Sequence, residues 1–565
     1  MDGLTSQEDR YPILSMNDYT RRDFIQTISR ATGGAAALAL ARSAQHASSA
    51  ELHAATEPTP AHRGRPITFN LCVHPVEFME DRNLGKLLVD SGIEKVWLAG
   101  WFYGQWSYDK GKLLEARRMA EAAGLKTALV NVPLGHPGNS LGEVEKLVPL
   151  TIPDHWRYRL NVDGQEVRHC GCLNDASWQD NLTSLREAHR MGFREVFMDD
   201  DLRLSVGPGV IGGCFCPECI GRFKAQTGVS DAEMDEVRRQ VRGRIRGEAL
   251  MRWLEFHGRR LTAFINDCNV IAPDLSVGVM VMYMGCEQAG IELEHLRDRL
   301  FRVGEGHFDD GSFGKVTGKL TELASAMFHM NYADPRLAYS ESTAFPPTAL
   351  SAENLGRKVA VPLMAGVQNV MFMSGIRLFP KSYWPVLSAH IRRARDLVRQ
   401  LPDERPTGVL KLWFGPGARS VAGSWPMIDC LGLGMPVEVV PQVTPSGVYL
   451  VQAEDVPFLP LNLLADPKGT VVTAAVPRPV GAKCAWIDVG RDWPGRWRAK
   501  QALMARMGDA PYISGTTPIA VQWFRRSKKL LVWNVNETGQ NLEVVYCQRA
   551  QQMRLGSGEV SLIPL

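Results

Sequence analysis

The feature that most constrains this chain is an alternation that starts near residue 66 and runs to residue 404. Short apolar or β-branched runs are each followed by a stretch of helical periodicity. The runs read ITFNLCVH, KVWLAGW, KTALVNV, EVFMDDD, SVGVMVMYM, LFRVGEGHF, RLAYSES and VQNVMFMSG. Between and after them come NLGKLLVDSG, KLLEARRMAEAAG, NLTSLREAHRMG, residues 231–270, IELEHLRDRL, LTELASAMFHM, AENLGRKVAVPLMAG and YWPVLSAHIRRARDLVRQL. Glycine ends several of the helical stretches, as the left-handed C-cap favours. Strand–helix units in succession build a parallel sheet with helices outside. Eight of them predict a closed (β/α)8 barrel, or TIM barrel, over residues 66–404. An open doubly wound sheet would show a Gly-rich phosphate loop after its first strand, and CVHPVEFMED is not one.

The 565 residues exceed one ordinary domain. Residues 405–515 carry the strand-like runs GVLKLWFG, PVEVVP, GVYLVQ and GTVVTAAV, with a helical SWPMIDCLGLG between the first two. A small α/β (flavodoxin-like) domain is expected there. Residues 516–565 are strand and turn throughout, which predicts a C-terminal antiparallel β-domain. At the other end, Arg21 and Arg22 precede Phe24, Ile25 and the weakly apolar ATGGAAALALA. This pattern resembles a twin-arginine export signal over residues 1–50, cut after Ala50, with a linker over 51–65. Export of the folded protein to the periplasm or beyond follows as an expectation.

A net charge of +3 gives no reason to expect nucleic acid or an anionic membrane as partner. No run after the signal is long and apolar enough to span a bilayer as a helix. The 14 tryptophans and 12 tyrosines suit a carbohydrate partner, although most such rings in any protein are core.

Active sites of such barrels lie at the C-terminal ends of the strands. The polar residues ending the eight runs therefore define the candidate site. They are His74; Trp101 with Tyr103 and Trp106; Asn131; Asp199, Asp200 and Asp201 with Arg203; Tyr283; Glu305, His307, Asp309 and Asp310; Glu341; and Ser374 with Arg377. Glu341 ends an apolar strand, where a buried carboxylate is costly unless used or paired. Strand alternation places Asp199 and Asp201 on one face and Asp200 on the other. Two carboxyls across a cleft are what glycosidic cleavage needs: one protonates the leaving oxygen, the other attacks or activates water. Asp200 or Asp201 is the expected partner of Glu341, with Glu305 and Asp309 as rivals. Trp101, Tyr103 and Trp106 are read as sugar platforms. His74, Asn131, Arg203, Tyr283, Glu305, His307 and Arg377 are read as further substrate contacts.

Cys214, Cys216 and Cys219 have the spacing C-x-C-x-x-C, which can wrap one tetrahedral zinc with a fourth thiolate from elsewhere. HCGC offers Cys170 or Cys172, and Cys172 is preferred because it leads directly into the next helix. Four thiolates close the coordination sphere, so this zinc would be structural. Disulfides among these cysteines are the competing reading for an exported protein.

CFCPECIGRF shortly after an acidic fourth strand resembles the family 42 β-galactosidases, barrel enzymes of glycoside hydrolase clan A. That resemblance implies an acid/base at the end of the fourth strand, here Asp200 or Asp201. It implies a nucleophile at the end of the seventh, here Glu341, and zinc on Cys172, Cys214, Cys216 and Cys219. It also implies a trimer built through the α/β domain. Retention of configuration is expected, with inversion as the alternative, because an aspartate acid is one methylene shorter than glutamate. The family has Asn-Glu where this chain has three aspartates, so a divergent glycoside hydrolase is expected rather than a β-galactosidase proper. Two alternatives stand beside it. One is a carbohydrate-binding barrel without turnover. The other is a different barrel enzyme, such as a polysaccharide lyase or a metal-dependent hydrolase.

Overall fold

A computed structural model of the chain describes residues 67–105, 109–135, 152–199, 202–205, 210–282 and 284–565. The export signal, the linker, Trp106, Asp200, Asp201 and Tyr283 lie outside the described residues.

The eight predicted strands form and close. They are β1 (Thr68–Val73), β2 (Lys95–Phe102), β3 (Lys126–Val132), β6 (Glu195–Met198), β7 (Ser276–Met282), β8 (Phe301–Gly304), β9 (Ala338–Thr343) and β10 (Asn369–Met373). A hairpin, β4 (Tyr158–Leu160) and β5 (Glu166–Gly171), is inserted after β3. Around the barrel the order is β1-β10-β9-β8-β7-β6-β3-β2, every neighbour parallel. Sequential strands are adjacent because each chain return passes outside the barrel, through an α-helix everywhere but between β7 and β8, in the crossover that parallel pairing requires. Gly92, Gly228 and Gly366 adopt left-handed φ and stop three of these helices.

Three helical expectations are corrected. Between β7 and β8, residues 291–300 form only the 3-10 turn Leu293–Leu296, after Gly290 at φ 76° has ended a previous turn. Leu293 and Leu296 are buried, and their spacing of three matches the 3-10 period. The segment 231–270 is two helices, Asp231–Gly243 and Glu248–Asn269, broken where Arg244 turns left-handed at φ 51°. Pro426–Gly432 is likewise a 3-10 turn.

Beyond the barrel lie β11 (Leu410–Trp413), β12 (Val437–Val440), β13 (Val448–Val451), β14 (Thr470–Thr473) and β15 (Ala485–Asp488). They form one parallel sheet in the order β12-β11-β13-β14-β15, the order of a doubly wound α/β sheet. The tail is antiparallel, in two three-stranded sheets. One joins β17 (Ile519–Phe524), β18 (Lys529–Asn534) and β21 (Val560–Pro564). The other joins β16 (Tyr512–Ile513), β19 (Gln540–Tyr546) and β20 (Arg549–Leu555). One continuous apolar core runs from Phe69 and Phe372 of the barrel to Trp523 and Trp533 of the tail. No helix among the described residues is long and apolar enough to cross a membrane.

Candidate active site

The pleat of β9 decides where Glu341 points. Tyr339 packs inside the barrel, edge-on to Trp97 at 5.4 Å and to Phe197 at 5.2 Å, and its hydroxyl accepts from Lys95 Nζ at 3.2 Å. Two residues on, Glu341 takes the same face, at the C-terminal end of the strand. It is 4% exposed. Oε1 accepts from the Thr343 hydroxyl at 3.1 Å, and Oε2 accepts from the Glu305 backbone N–H at 3.3 Å. Its register partner on β10 is Met371.

Below Glu341 the barrel holds a buried ion pair. Arg302 of β8 donates to Asp199, packs against the sulfurs of Met280 and Met371, and lies 6.0 Å from the centre of the Phe197 ring. Asp199 therefore turns inward and is a structural partner of Arg302.

Arg302 fixes the pleat phase of β8, and this corrects the expected place of Glu305. Three residues after Arg302, Glu305 belongs to the opposite face, toward the helix layer. Its carboxylate accepts from Lys358 Nζ at 3.1 Å and is 1% exposed. It is thus neither an open substrate contact nor a carboxylate across the cleft from Glu341. Lys358 also donates to Glu322 at 2.6 Å and sits 4.8 Å from the centre of the Phe313 ring. Glu322 Oε1 in turn accepts the backbone N–H of His307 at 3.0 Å. Burial pushes the Glu305 carboxyl well above the usual carboxylate range, against the pull of Lys358. Burial pushes Glu322 up as well, but Lys358 and then His307 outweigh it and hold it low. Lys358 is raised, because two carboxylates outweigh its desolvation.

The other expected contacts are distributed unevenly. His74 ends β1, and its Nδ1 accepts the Val76 N–H at 3.1 Å. Burial, then Arg377 and Lys112, pull it down to about 4, so the imidazole is neutral at pH 7. Arg377 pairs with Glu77 at 3.1 Å. Asn131 is buried, and its Oδ1 accepts the Trp101 N–H at 3.0 Å. Among the described residues its amide nitrogen has no hydrogen-bond partner. The Arg203 carbonyl accepts from Arg159 at 2.9 Å. His307 is partly exposed and sits beside Glu322. The sugar-platform reading of Trp101 and Tyr103 is corrected: both rings are 2% exposed, and Tyr103 packs edge-on to Trp156 at 6.4 Å while donating to the His169 carbonyl. Asp309 and Asp310, considered as mouth residues, instead bond Ser312 and Ser351 in the following loops. Sequence reasoning missed Arg302, Glu322 and Lys358. A charge inside an apolar strand run was the available signal for Arg302. A cavity of about 260 Å³ lies elsewhere, at the N-terminal end of the barrel beside Ile67, Pro335 and Val367. Glu341 lies at the other end, the C-terminal end of the strands, where active sites of this fold are found.

A second cluster sits beside the mouth. Cys172, Cys214, Cys216 and Cys219 are all buried, and their sulfurs lie within 4.8 Å of one another. Cys172 Sγ is 3.3 Å from Cys219 Sγ and 3.7 Å from Cys216 Sγ. A bonded pair would be about 2.05 Å apart, and these cysteines are free thiols. Tetrahedral metal thiolates with bonds of about 2.3 Å have sulfur–sulfur edges of about 3.8 Å, which these separations approach. The hairpin β4–β5 delivers Cys172, and the Leu160 carbonyl of β4 accepts the Phe215 N–H at 2.9 Å. Cys216 caps the helix Pro217–Thr227 by accepting the Cys219 N–H. Hydrogen bonds from Cys172, Cys214 and Cys219 hold Cys216 far below the usual thiol range. Gly213 takes φ 112°, and a Cβ there would strike Trp253 and His257. Arg260 donates to Cys219 Sγ at 3.6 Å and to the Leu173 carbonyl at 2.6 Å. Cys170 stays outside the cluster, 3.9 Å from the Gly135 carbonyl.

No family model and no curated protein match this sequence. Solved structures do match its fold. A GH42 β-galactosidase from G. stearothermophilus aligns over 90% of this chain and 99% of its own, with TM-score 0.56 and 10% identity. A β-galactosidase from Halorubrum lacusprofundi aligns over 88% and 99%, with TM-score 0.55 and 12% identity. An α-L-fucosidase from Paenibacillus thiaminolyticus aligns over 85% and 93%, with TM-score 0.55 and 11% identity. At such identities the likeness is one of architecture: the chain shares, over most of its length, the barrel fold of glycoside hydrolases.

Proposed function

We propose that this chain is an exported glycoside hydrolase that cleaves an O-glycosidic bond with retention of configuration. The observation that carries the reading is Glu341, an inward carboxylate at the end of a barrel strand, held by one N–H and one hydroxyl. The fold shared with glycosidases supports it. In the first step Glu341 attacks the anomeric carbon, and Asp200 or Asp201 gives its proton to the departing oxygen. A glycosyl ester on Glu341 forms as the bond to the aglycone breaks. The same aspartate then takes a proton from water, which attacks the ester and frees Glu341. His74, His307 and Arg377 are the described polar residues we assign to the sugar or its substituents, together with Tyr283 and Trp106.

We assign a structural zinc to Cys172, Cys214, Cys216 and Cys219, where it would tie the loops after β3 and β6 together. The sheet β11–β15 is our candidate for contacts between copies in a homo-oligomer. The periplasm or the extracellular space is the proposed location, from the twin arginine at residues 21 and 22.

The test is a panel of 4-nitrophenyl glycosides, followed by proton NMR of the first anomer released. Turnover that Glu341→Gln abolishes, with the substrate's own anomer released first, supports the reading. Binding of sugars without any turnover would favour an inactive binding barrel, to which the aspartates in place of glutamate on the fourth strand already lend weight.

A further inference from the structure

The segment 305–307 is anchored at two points that do not face the mouth. The Glu305 carboxylate is tied to Lys358, and the His307 N–H is tied to Glu322. Lys358 joins the two anchors, because the same ammonium donates to Glu322. All three side chains are at most 1% exposed, so solvent cannot substitute for any of these bonds. The ammonium is further enclosed by the rings of Phe308 and Phe313. Between the two anchors the backbone has little freedom, and the group it presents to the barrel interior is the Glu305 N–H, on Glu341 Oε2.

We propose that Glu305, Lys358 and Glu322 are positioning residues whose task is to aim the Glu305 peptide N–H at the Glu341 carboxylate. The inference rests on the reading of Glu341 as the reacting carboxylate. An N–H aimed at a carboxylate stabilises its charged form and holds the oxygens in one plane, ready for attack along the other lone pair. A clamp in which one ammonium is shared between two buried carboxyl groups suits that task better than a loop held by backbone bonds alone, because breaking any one bond leaves a buried polar group unpaired. Glu305, Lys358, Glu322 and His307 approach Glu341 from β8 and the helices behind it. The Asp199–Arg302 pair lies below, against Met371 of the neighbouring β10.

The design of the test follows from a difference in sign. Glu305→Ala removes a carboxyl near Glu341. If proximity of charge were all that mattered, Glu341 would then ionise more readily, or no differently if Glu305 is neutral. If the clamp matters, the N–H drifts away and Glu341 ionises less readily. The measurement is the rate at which a water-soluble carbodiimide modifies Glu341 in the full chain between pH 4 and pH 7, located by peptide mass spectrometry. It needs no substrate. The expected result is a midpoint raised by about one pH unit in Glu305→Ala, the scale of one hydrogen bond to a charged group. Glu305→Gln, which keeps an acceptor for Lys358, is expected to stay within a few tenths of the unmodified protein. An unchanged or lowered midpoint in Glu305→Ala overturns the proposal. If circular dichroism shows that Glu305→Ala does not fold, Glu322→Ala, which removes the acceptor of the other anchor, replaces it with the same expected direction. If the chain hydrolyses no glycoside, the proposed function fails, while the titration still decides whether the clamp sets the state of Glu341.

Discussion

Arg302→Met tests how the barrel interior is held together. Arg302 is 1% exposed, and its guanidinium pairs with Asp199, whose side chain is 12% exposed. Methionine keeps most of the apolar contact with Met280, Met371 and Phe197 while removing the charge. Taking one partner from a buried pair costs about 3–5 kcal/mol, because the remaining charge is left in a low dielectric. The cost has a ceiling set by pH. Asp199 can escape by taking up a proton, and moving a carboxyl from an ordinary value near 3.9 to the neutral form at pH 7 costs about 4 kcal/mol. At pH 5 the same escape costs about 1.5 kcal/mol.

The sign follows. Loss of the guanidinium removes what favours the charged carboxylate in the buried site, so the penalty is full at high pH and shrinks as pH falls. Urea unfolding should therefore show Arg302→Met losing about 3–4 kcal/mol at pH 7 and under about 2 kcal/mol at pH 5. Adding Asp199→Leu should return most of the loss at both values, since an apolar pair of similar volume is often neutral. A loss that is the same at both pH values, or under about 1 kcal/mol at pH 7, would refute the claim that a stranded Asp199 charge sets the cost.

Other outcomes follow from the same geometry. Glu341→Gln should cut turnover of any glycoside substrate by on the order of 10⁴-fold without lowering the melting temperature, and a variant with most of its turnover left would remove Glu341 from the chemistry. Metal analysis of the exported protein should give one zinc per chain, absent in Cys214→Ser; equal content in both proteins would place the metal elsewhere. Arg260→Gln should weaken that zinc about 10-fold or more in chelator competition, since Arg260 donates to Cys219 and to the Leu173 carbonyl; unchanged affinity would leave it a packing residue. His74 lies at about 4 in the folded chain, against 6.5 unfolded, so the unfolded state binds more protons in that window and stability falls as pH drops. His74→Asn should flatten the loss between pH 7 and pH 5 by about 2 kcal/mol, and an unaltered slope would show the imidazole free to charge in place.

The eight barrel strands are legible because each is a short apolar run between polar breaks, and every one forms where its run lies. Glu341 is legible as a carboxylate ending such a run. Cys172 is separated from Cys170 by its place at the head of the next helix, and the structure puts it in the cluster. The face of Glu305 is not legible, because the pleat phase of β8 depends on Arg302 meeting Asp199, a residue 103 positions away. Lys358 and Glu322 read as ordinary polar positions of helical stretches, and only the fold brings them behind β8. Trp101 and Tyr103 lie at the expected strand end. Yet the stacking of a ring on a sugar requires an open face, and exposure is a property of the neighbouring loops, which periodicity does not report. The missing fifth helix is similar: its apolar spacing fits both helical forms, and Gly290 together with the buried Leu293 and Leu296 selects the tighter one.

The placement of Arg302 and Glu305 bears on how the proposed mechanism would keep Glu341 reactive. A nucleophilic carboxylate in a direct ion pair would be stabilised more in the ground state than in the transition state, where its charge is being spent, and its attack would be slowed. β8 sits beside Glu341, with Arg302 on the strand and Glu305 just after its end. The pleat sends Arg302 below, to Asp199, and Glu305 behind, to Lys358. What β8 offers Glu341 is a neutral N–H, a dipole strong enough to aim the carboxylate and weak enough to release charge from it as the glycosyl bond forms. Moving a charge from either layer into the mouth should therefore be more damaging than deleting it. Met371→Lys, which would place an ammonium at the position in register with Glu341, should lower kcat while leaving KM nearly unchanged. A rise in KM alone would show that the mouth tolerates a cation, and that the partition of charges in β8 serves only stability.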